Sequence, residues 1–354
     1  MAERLYLDHA ATTPVTGSAR SAFADGLTRW ANPSSPHAEG RAARAALEDA
    51  RARIAAALEW DGELIFTSGA SEALAIALLR THSDAVLVSS VEHDAVHRVA
   101  PDAYMVPVVS DGTVAHDALA GRLGALGARN PVVTIQTANN ETGVLQPLGL
   151  LGGIVRSANG LLLADASQTA GKLPLPDADL IAVSAHKLGG PPGIGALLVR
   201  DFGMLQPSGG QERGYRSGTE NLPAALAFAA AVETKRGWLD RATDLRAHLD
   251  GAIEAAGGQV VAKATPRLAT IASYRMPGIA SSAQLIQFDM AGIAVSAGSA
   301  CSSGSLRPSH VLAAMGWGET AASEVIRVSF GPETSRADIY RFIEQWRRIA
   351  GSGK

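Results

Sequence analysis

The chain has one cysteine, Cys301, in 354 residues. A lone thiol excludes an intrachain disulfide framework and any metal site built from several thiolates, and it suits a reducing compartment. Lysine is nearly as scarce: only Lys172, Lys187, Lys235, Lys263 and Lys354 occur, and arginine carries the remaining basic charge. The formal net charge is −3, so nothing electrostatic favours nucleic acid or an acidic membrane. No G-x-G-x-x-G follows a strand-like run, and neither G-x-x-x-x-G-K-[ST] nor H-E-x-x-H occurs. The longest apolar run, "LPAALAFAAAV" (222–232), is too short to span a bilayer. The amino terminus, "MAERLYLDHAA", lacks the basic-then-apolar order of a secretory signal. These absences lead to the expectation of a cytoplasmic protein with no membrane or direct nucleic-acid partner.

What is present is ordinary globular material: 47% hydrophobic and 18% charged residues, enough for one large core and a smaller satellite. Apolar β-branched runs alternate with alanine-rich helical stretches, the pattern of βαβ units around a parallel sheet. Helices are expected over 38–60, 71–80 and 221–257, the last long enough to break within itself and to bridge two domains. Beyond it, "RLATIASYRM", "GIAVSAG" and "EVIRVSFG" read as a separate small sheet. Ser335 with Asp338 reads as a capping box opening the last helix.

Five apolar runs of the first part end in polar groups. "ELIFTSG" leads to Gly69, Ala70 and Ser71; "AVLVSSVEH" ends at His93; "VVTIQTANN" ends at Asn139 and Asn140. "LLLAD" ends at Asp165, just before Gln168, and "LIAVSAHK" delivers Ser184, His186 and Lys187. In open α/β sheets the carboxyl ends of the strands form the ligand crevice. A partly desolvated lysine there can serve as a Schiff-base nucleophile, although a lysine in a Gly/Pro-rich loop also fits simple solvation. A buried Asp165 needs a cationic or hydrogen-bonding partner. The protonated ring nitrogen of pyridoxal phosphate is one such partner, and capping the next helix is the alternative. "TSGASEALA" is a strand, a glycine turn and a helix start, which can cradle a phosphate. The loop "GGQERGYRSGTEN" (209–221) adds Arg213, Arg216 and Thr219, either as an anion site or as a solvated surface. His93 and His97 are four apart, but with no third ligand they are not a metal site. Cys301 sits in "SAGSACSSGS", which offers no apolar neighbours for a buried thiol.

The segments "YLDHAATTP", "NPSSPHAEGR", "FTSGASEA", "VEHDAV", "ANNETGVLQP", "ADASQTAGK", "SAHKLGGPPGIGAL", "GGQERGYRSGTEN" and "GSACSSGSLRPSHVL" resemble, in this order, those of the cysteine desulfurases. That family belongs to the fold-type I pyridoxal-phosphate enzymes of the class-V aminotransferase group. The serine-rich cysteine loop is similar to that of the nitrogen-fixation and housekeeping iron–sulfur-cluster enzymes. The resemblance covers about residues 5–345. It implies an α/β fold: a large domain, residues 15–240, with a mainly parallel sheet flanked by helices. A smaller α/β domain would comprise residues 1–14 and 241–354 and carry the Cys301 loop.

The resemblance also implies roles. Lys187 would hold pyridoxal 5′-phosphate covalently and take the substrate's α-proton. His93 would stack on the ring and move protons, and Asp165 would pair with the ring nitrogen. Asn140 and Gln168 would bond near the ring hydroxyl. Ala70, Ser71, Ser184 and His186 would hold the phosphate, with Thr219 joining them from the neighbouring subunit of a homodimer. Arg327, with Asn140, would bind the carboxylate of L-cysteine. Cys301 would take the sulfur as a persulfide, release alanine and pass the sulfur to an acceptor protein, an iron–sulfur scaffold or a thiolation carrier. A selenocysteine lyase, a C–S lyase without a protein persulfide and a catalytically silent scaffold are the alternatives. Ser71, Leu74 and Pro332 stand where the family often has threonine, a polar residue and arginine, and the segment 78–90 looks short.

Overall fold

The computed structural model describes residues 4–127, 130–234, 237–298 and 309–352, so Cys301 lies outside the described residues. In chain order the strands are β1 (Leu5–Tyr6), β2 (Glu63–Thr67), β3 (Ala85–Ser89), β4 (Tyr104–Val106), β5 (Pro131–Gln136) and β6 (Leu161–Asp165). They continue with β7 (Leu180–Ser184), β8 (Gly195–Val199), β9 (Gln259–Val260), β10 (Ile271–Arg275), β11 (Ile293–Ala294) and β12 (Val325–Ser329).

Seven of these form one sheet in the order β2-β8-β7-β6-β5-β3-β4, in which only β8 runs against the others. Every residue of β5, β7 and β8 is buried, which is why these runs read as near-continuous apolar sequence: helices cover both faces of the sheet. On one face the helix Ala38–Ala57 turns Ala43, Ala46, Leu47, Ala50 and Ile54 inward at helical spacing. It ends three residues short of the expected 60. The expected helix over 221–257 is two helices, Leu222–Val232 and Leu239–Ala255. Gly237 lies in the break, where a helix interior would be costly for it.

A second core gathers Leu249, Tyr274, Phe288 and Ile326 with Ile339, Phe342 and Trp346 of the closing helix Arg336–Ser352. The Phe288 and Phe342 rings stack with centroids 4.8 Å apart. The capping box forms: Ser335 N donates to Asp338 Oδ2 at 2.9 Å, and Asp338 N donates back to Ser335 Oγ at 3.3 Å. This core packs on the antiparallel sheet β12-β10-β9. "GIAVSAG" does not join that sheet as a full strand. Its β11 pairs in parallel with β1, and Ser296 forms an isolated bridge to Arg327 of β12.

The two cores meet at the turn 139–146. Val144 bridges to Arg267, Leu268 N donates to Gly143 O at 2.8 Å, and Ser273 Oγ donates to Glu141 O at 2.8 Å. Gly143 is needed there, since a Cβ would fall 2.5 Å from Ile271 O. Among the described residues no helix is long and apolar enough to cross a membrane.

Candidate active site

The carboxyl ends of β2, β5, β6 and β7 open into one cavity of about 460 Å³, within the range of small-ligand sites. Ala70, Ser71, His93, Asn140, Asp165, Gln168, Ser184, His186, Lys187 and Arg327 all line it. Thr219 does not: it is exposed, on a loop outside the cavity wall. The structure therefore gathers every expected site residue of this subunit that falls within the described positions. Arg327 arrives from β12 of the second core.

Lys187 ends a single 3-10 turn, Ala185–Lys187, directly after β7. Thr13 N donates to His186 O at 2.8 Å, fastening that turn to the amino-terminal segment. Asp165 closes β6 and is 8% exposed. Its Oδ1 accepts from Ser167 N at 2.8 Å and from Ser167 Oγ at 2.5 Å, which fixes the carboxylate at the cavity wall. Gln168 donates through Nε2 to Ala10 O at 3.0 Å, while its buried Oε1 has no partner among the described residues.

His93 accepts from Ala95 N at Nδ1, 3.2 Å away, and so caps the short helix Asp94–Val99. That bond puts the neutral ring's proton on Nε2. Burial pushes its pKa down, partly offset by the nearby Asp165. His97 has a different setting: its ring meets His310 edge-on at 5.4 Å, and among the described residues it is His93, not His97, that lines the cavity.

The helix Ala70–Arg80 follows Gly69, which offers no side chain as a cap. Its first N–H groups have no intrahelical acceptor and can take an anion. Gly69 has φ 153°, ψ 179°, a conformation open to glycine alone. Gly195 must also be glycine, because its Cβ would lie 2.7 Å from Gly69 Cα. Glu72 Oε2 accepts from Ser68 N at 2.5 Å, and Arg216 Nε donates to Glu72 Oε1 at 3.0 Å. The second of these bonds ties the loop 209–221 to the cradle's outer wall. Leu74, where the family often has a polar residue, is fully buried and gives the cavity an apolar patch.

Arg327 is 6% exposed, and its guanidinium is already oriented. Nη1 donates to Asn140 O at 2.9 Å, Nη2 donates to Asp8 Oδ1 at 2.7 Å, and the buried Nε has no partner among the described residues. Sequence reasoning missed Asp8 and Ser167, although both stand inside quoted motifs, "YLDHAATTP" and "ADASQTAGK". The first motif does not say which of its residues turns toward a charge 319 positions away, and the second does not say that Ser167 turns back onto Asp165.

Two histidines beside the site are held uncharged. His9 has its pKa lowered to about 4 by burial, then by Lys172, and its ring fills the space a Cβ on Gly331 would need. His186 is lowered to about 4 by burial, then by Lys187. With the folded values below the unfolded value of 6.5 in both cases, the unfolded chain binds more protons between those limits. Stability is therefore complete above about pH 6.5 and falls as pH drops toward about 4, His9 contributing up to about 3 kcal/mol. Urea midpoints should be lower at pH 5 than at pH 7, and His9→Gln should shrink the difference. Equal midpoints in the wild-type chain would refute the assignment.

Residues 5–342 match the family described as aminotransferase class-V. The cysteine desulfurase of Gluconacetobacter diazotrophicus is 38% identical, the match covering 96% of this chain and 92% of that one. Among solved structures, a NifS-like protein from Rickettsia africae superposes with a TM-score of 0.91 at 30% identity, covering 98% of this chain and 99% of that one. SspA, solved in complex with cysteine, superposes with a TM-score of 0.79 at 28% identity, covering 94% of this chain and all of that one.

Proposed function

The chain belongs to the class-V aminotransferase family and acts as a cysteine desulfurase; on that premise we propose that its cavity takes pyridoxal 5′-phosphate beside L-cysteine and that Cys301 receives the sulfur. One observation carries this: a single cavity collects a lysine, a buried carboxylate, an uncapped helix N-terminus and an arginine.

The donor set fits the cofactor. The helix N-terminus at Ala70 and Ser71, with Ser184 and His186, would hold the phosphate. Asp165 Oδ2 would accept the ring N–H. The orphaned Gln168 Oε1, with Asn140, would meet the ring hydroxyl. His93 would cover one ring face, and Lys187 would hold the cofactor covalently. When bound, pyridoxal phosphate supplies an electron-withdrawing ring that acidifies the α-hydrogen of an attached amino acid and loosens its Cβ–S bond.

The chain's own groups do the rest. Arg327, braced by Asp8, binds the substrate carboxylate through its remaining N–H donors, so that Cα presents its hydrogen to Lys187. Lys187 takes that proton and returns it within the site, assisted by His93. The Cys301 thiolate then attacks the substrate sulfur. An S–S bond forms and the Cβ–S bond breaks. The electron pair stays on Cβ, which is protonated and leaves as the methyl group of alanine, while Cys301 keeps a persulfide for an acceptor protein.

Thr219, exposed between the ion pairs Arg216–Glu72 and Arg44–Glu220, would serve the phosphate of a second copy's cavity, which makes the working unit a homodimer. The cytoplasm, a large domain of residues 15–240 and a small one of 1–14 and 241–354 belong to the same proposal, as does an iron–sulfur scaffold or thiolation carrier as acceptor. As a test, the purified protein should be yellow, and borohydride should fix the cofactor on the peptide carrying Lys187. Colourless protein that takes up no pyridoxal phosphate would contradict the proposal.

A further inference from the structure

Cys301 is five residues beyond Ser296 and eight before Ser309. Both of those residues are fastened to the cavity wall. Ser296 pairs with Arg327 on both sides: its N donates to Arg327 O at 3.1 Å, and Arg327 N donates to Ser296 O at 2.7 Å. Arg327 in turn donates to Asn140 O. Ser309 Oγ donates to Glu141 Oε2 at 2.5 Å, with Ser309 2% and Glu141 5% exposed, and accepts from Leu312 N at 3.1 Å, which starts the helix His310–Ala314. His310 Nε2 lies 2.9 Å from Glu92 O. The three attachment points are thus Arg327 itself, the residue after Asn140 and the residue before His93. Arg327, Asn140 and His93 all line the cavity.

The turn carrying Glu141 is itself rigid. Asn139 Oδ1 accepts from Glu141 N at 2.9 Å and from Thr142 N at 2.8 Å, and Asn139 Nδ2 donates to Val91 O at 3.2 Å. Twelve residues, Cys301 among them, separate the attachments at Ser296 and Ser309.

We infer that Glu141, through Ser309, and Glu92, through its carbonyl and His310, form a positioning set that ties the thiol-bearing segment to the turns presenting Asn140 and His93. This rests on the proposed role of Cys301. None of the four residues touches the reacting atoms; they set how often the thiol meets the substrate sulfur. Removing the Ser309 tether should therefore slow sulfur transfer and leave cysteine binding and cofactor retention unchanged.

The test uses the holoenzyme with L-cysteine and dithiothreitol, following alanine release, KM and the visible absorbance of the bound cofactor. Ser309→Ala is expected to lower kcat about tenfold, the ratio corresponding to the loss of one good hydrogen bond, with KM and absorbance at wild-type values. Ser309→Thr, which keeps a hydroxyl at the cap, is expected to restore most of the rate, and His310→Ala to lower kcat in the same way as Ser309→Ala. An unchanged kcat in both alanine variants would overturn the inference, and so would a loss of cofactor and raised KM in parallel with kcat. Cys301→Ala in the same series separates the two layers. If that variant keeps wild-type turnover, the role of Cys301 fails. If it is inactive while Ser309→Ala and His310→Ala match wild type, only the positioning set fails.

Discussion

Cys301→Ala is expected to bind pyridoxal phosphate and L-cysteine as the wild type does and to release alanine about 10³-fold more slowly or worse. The thiolate is the only nucleophile the sequence offers for sulfur: there is no second cysteine to replace it. An alanine side chain cannot form the S–S bond, so the Cβ–S electron pair has nowhere to go. The loss should fall on kcat, because the described residues that line the cavity are unchanged in the variant, and among them Arg327 holds its place through Asp8 and Asn140. Steady-state assays of alanine, with absorbance of the bound cofactor, check this. Sulfide release at the wild-type rate from the variant would identify a lyase that needs no protein persulfide.

Lys187→Ala is expected to have an effect at least as large, with a different signature. Turnover should fall by about 10⁴-fold, since the variant loses both the covalent hold on the cofactor and the base at Cα. The cofactor should wash out on gel filtration more readily than from the wild type, while the phosphate cradle at Ala70 and Ser71 still binds it weakly. A small primary amine added to the assay should restore part of the rate by supplying a mobile base. The neighbouring His186 cannot substitute: burial, the larger cause of its lowered pKa, remains in the variant and keeps it a weak base, and its backbone is pinned by Thr13. Wild-type turnover in Lys187→Ala would remove the lysine from the chemistry altogether.

The cavity's parallel floor was legible because its strands announce themselves twice: by unbroken apolar runs and by polar residues where each run stops. β6 and β7, ending at Asp165 and Ser184, show both signals. The direction of β8 was not legible, since "GALLV" carries no mark of whether it runs with its neighbours or against them. β4 went unread for a different reason: Tyr104 and Met105 are exposed at the sheet's edge, so burial wrote no pattern there. The break in 221–257 was foreseeable from Gly237 in a polar stretch. Within the site, Lys187, His93 and Asp165 stand at strand ends and could be picked out one by one. The Asp8–Arg327 pair could not, because its partners lie 319 positions apart and meet only where the amino-terminal segment bridges to β12. Glu141 is similar. Its sequence neighbours mark a turn, but its bond to Ser309 joins the turn to a helix start 168 residues later.

The most direct test of the central claim follows the sulfur itself. The wild-type holoenzyme would be mixed with one equivalent of ³⁵S-labelled L-cysteine without reductant, stripped of small molecules and digested under non-reducing conditions. Label on the peptide containing Cys301, matched by an equal yield of alanine and discharged as sulfide by dithiothreitol, is the expected result. Full alanine yield with all the label in solution and none on that peptide would contradict it.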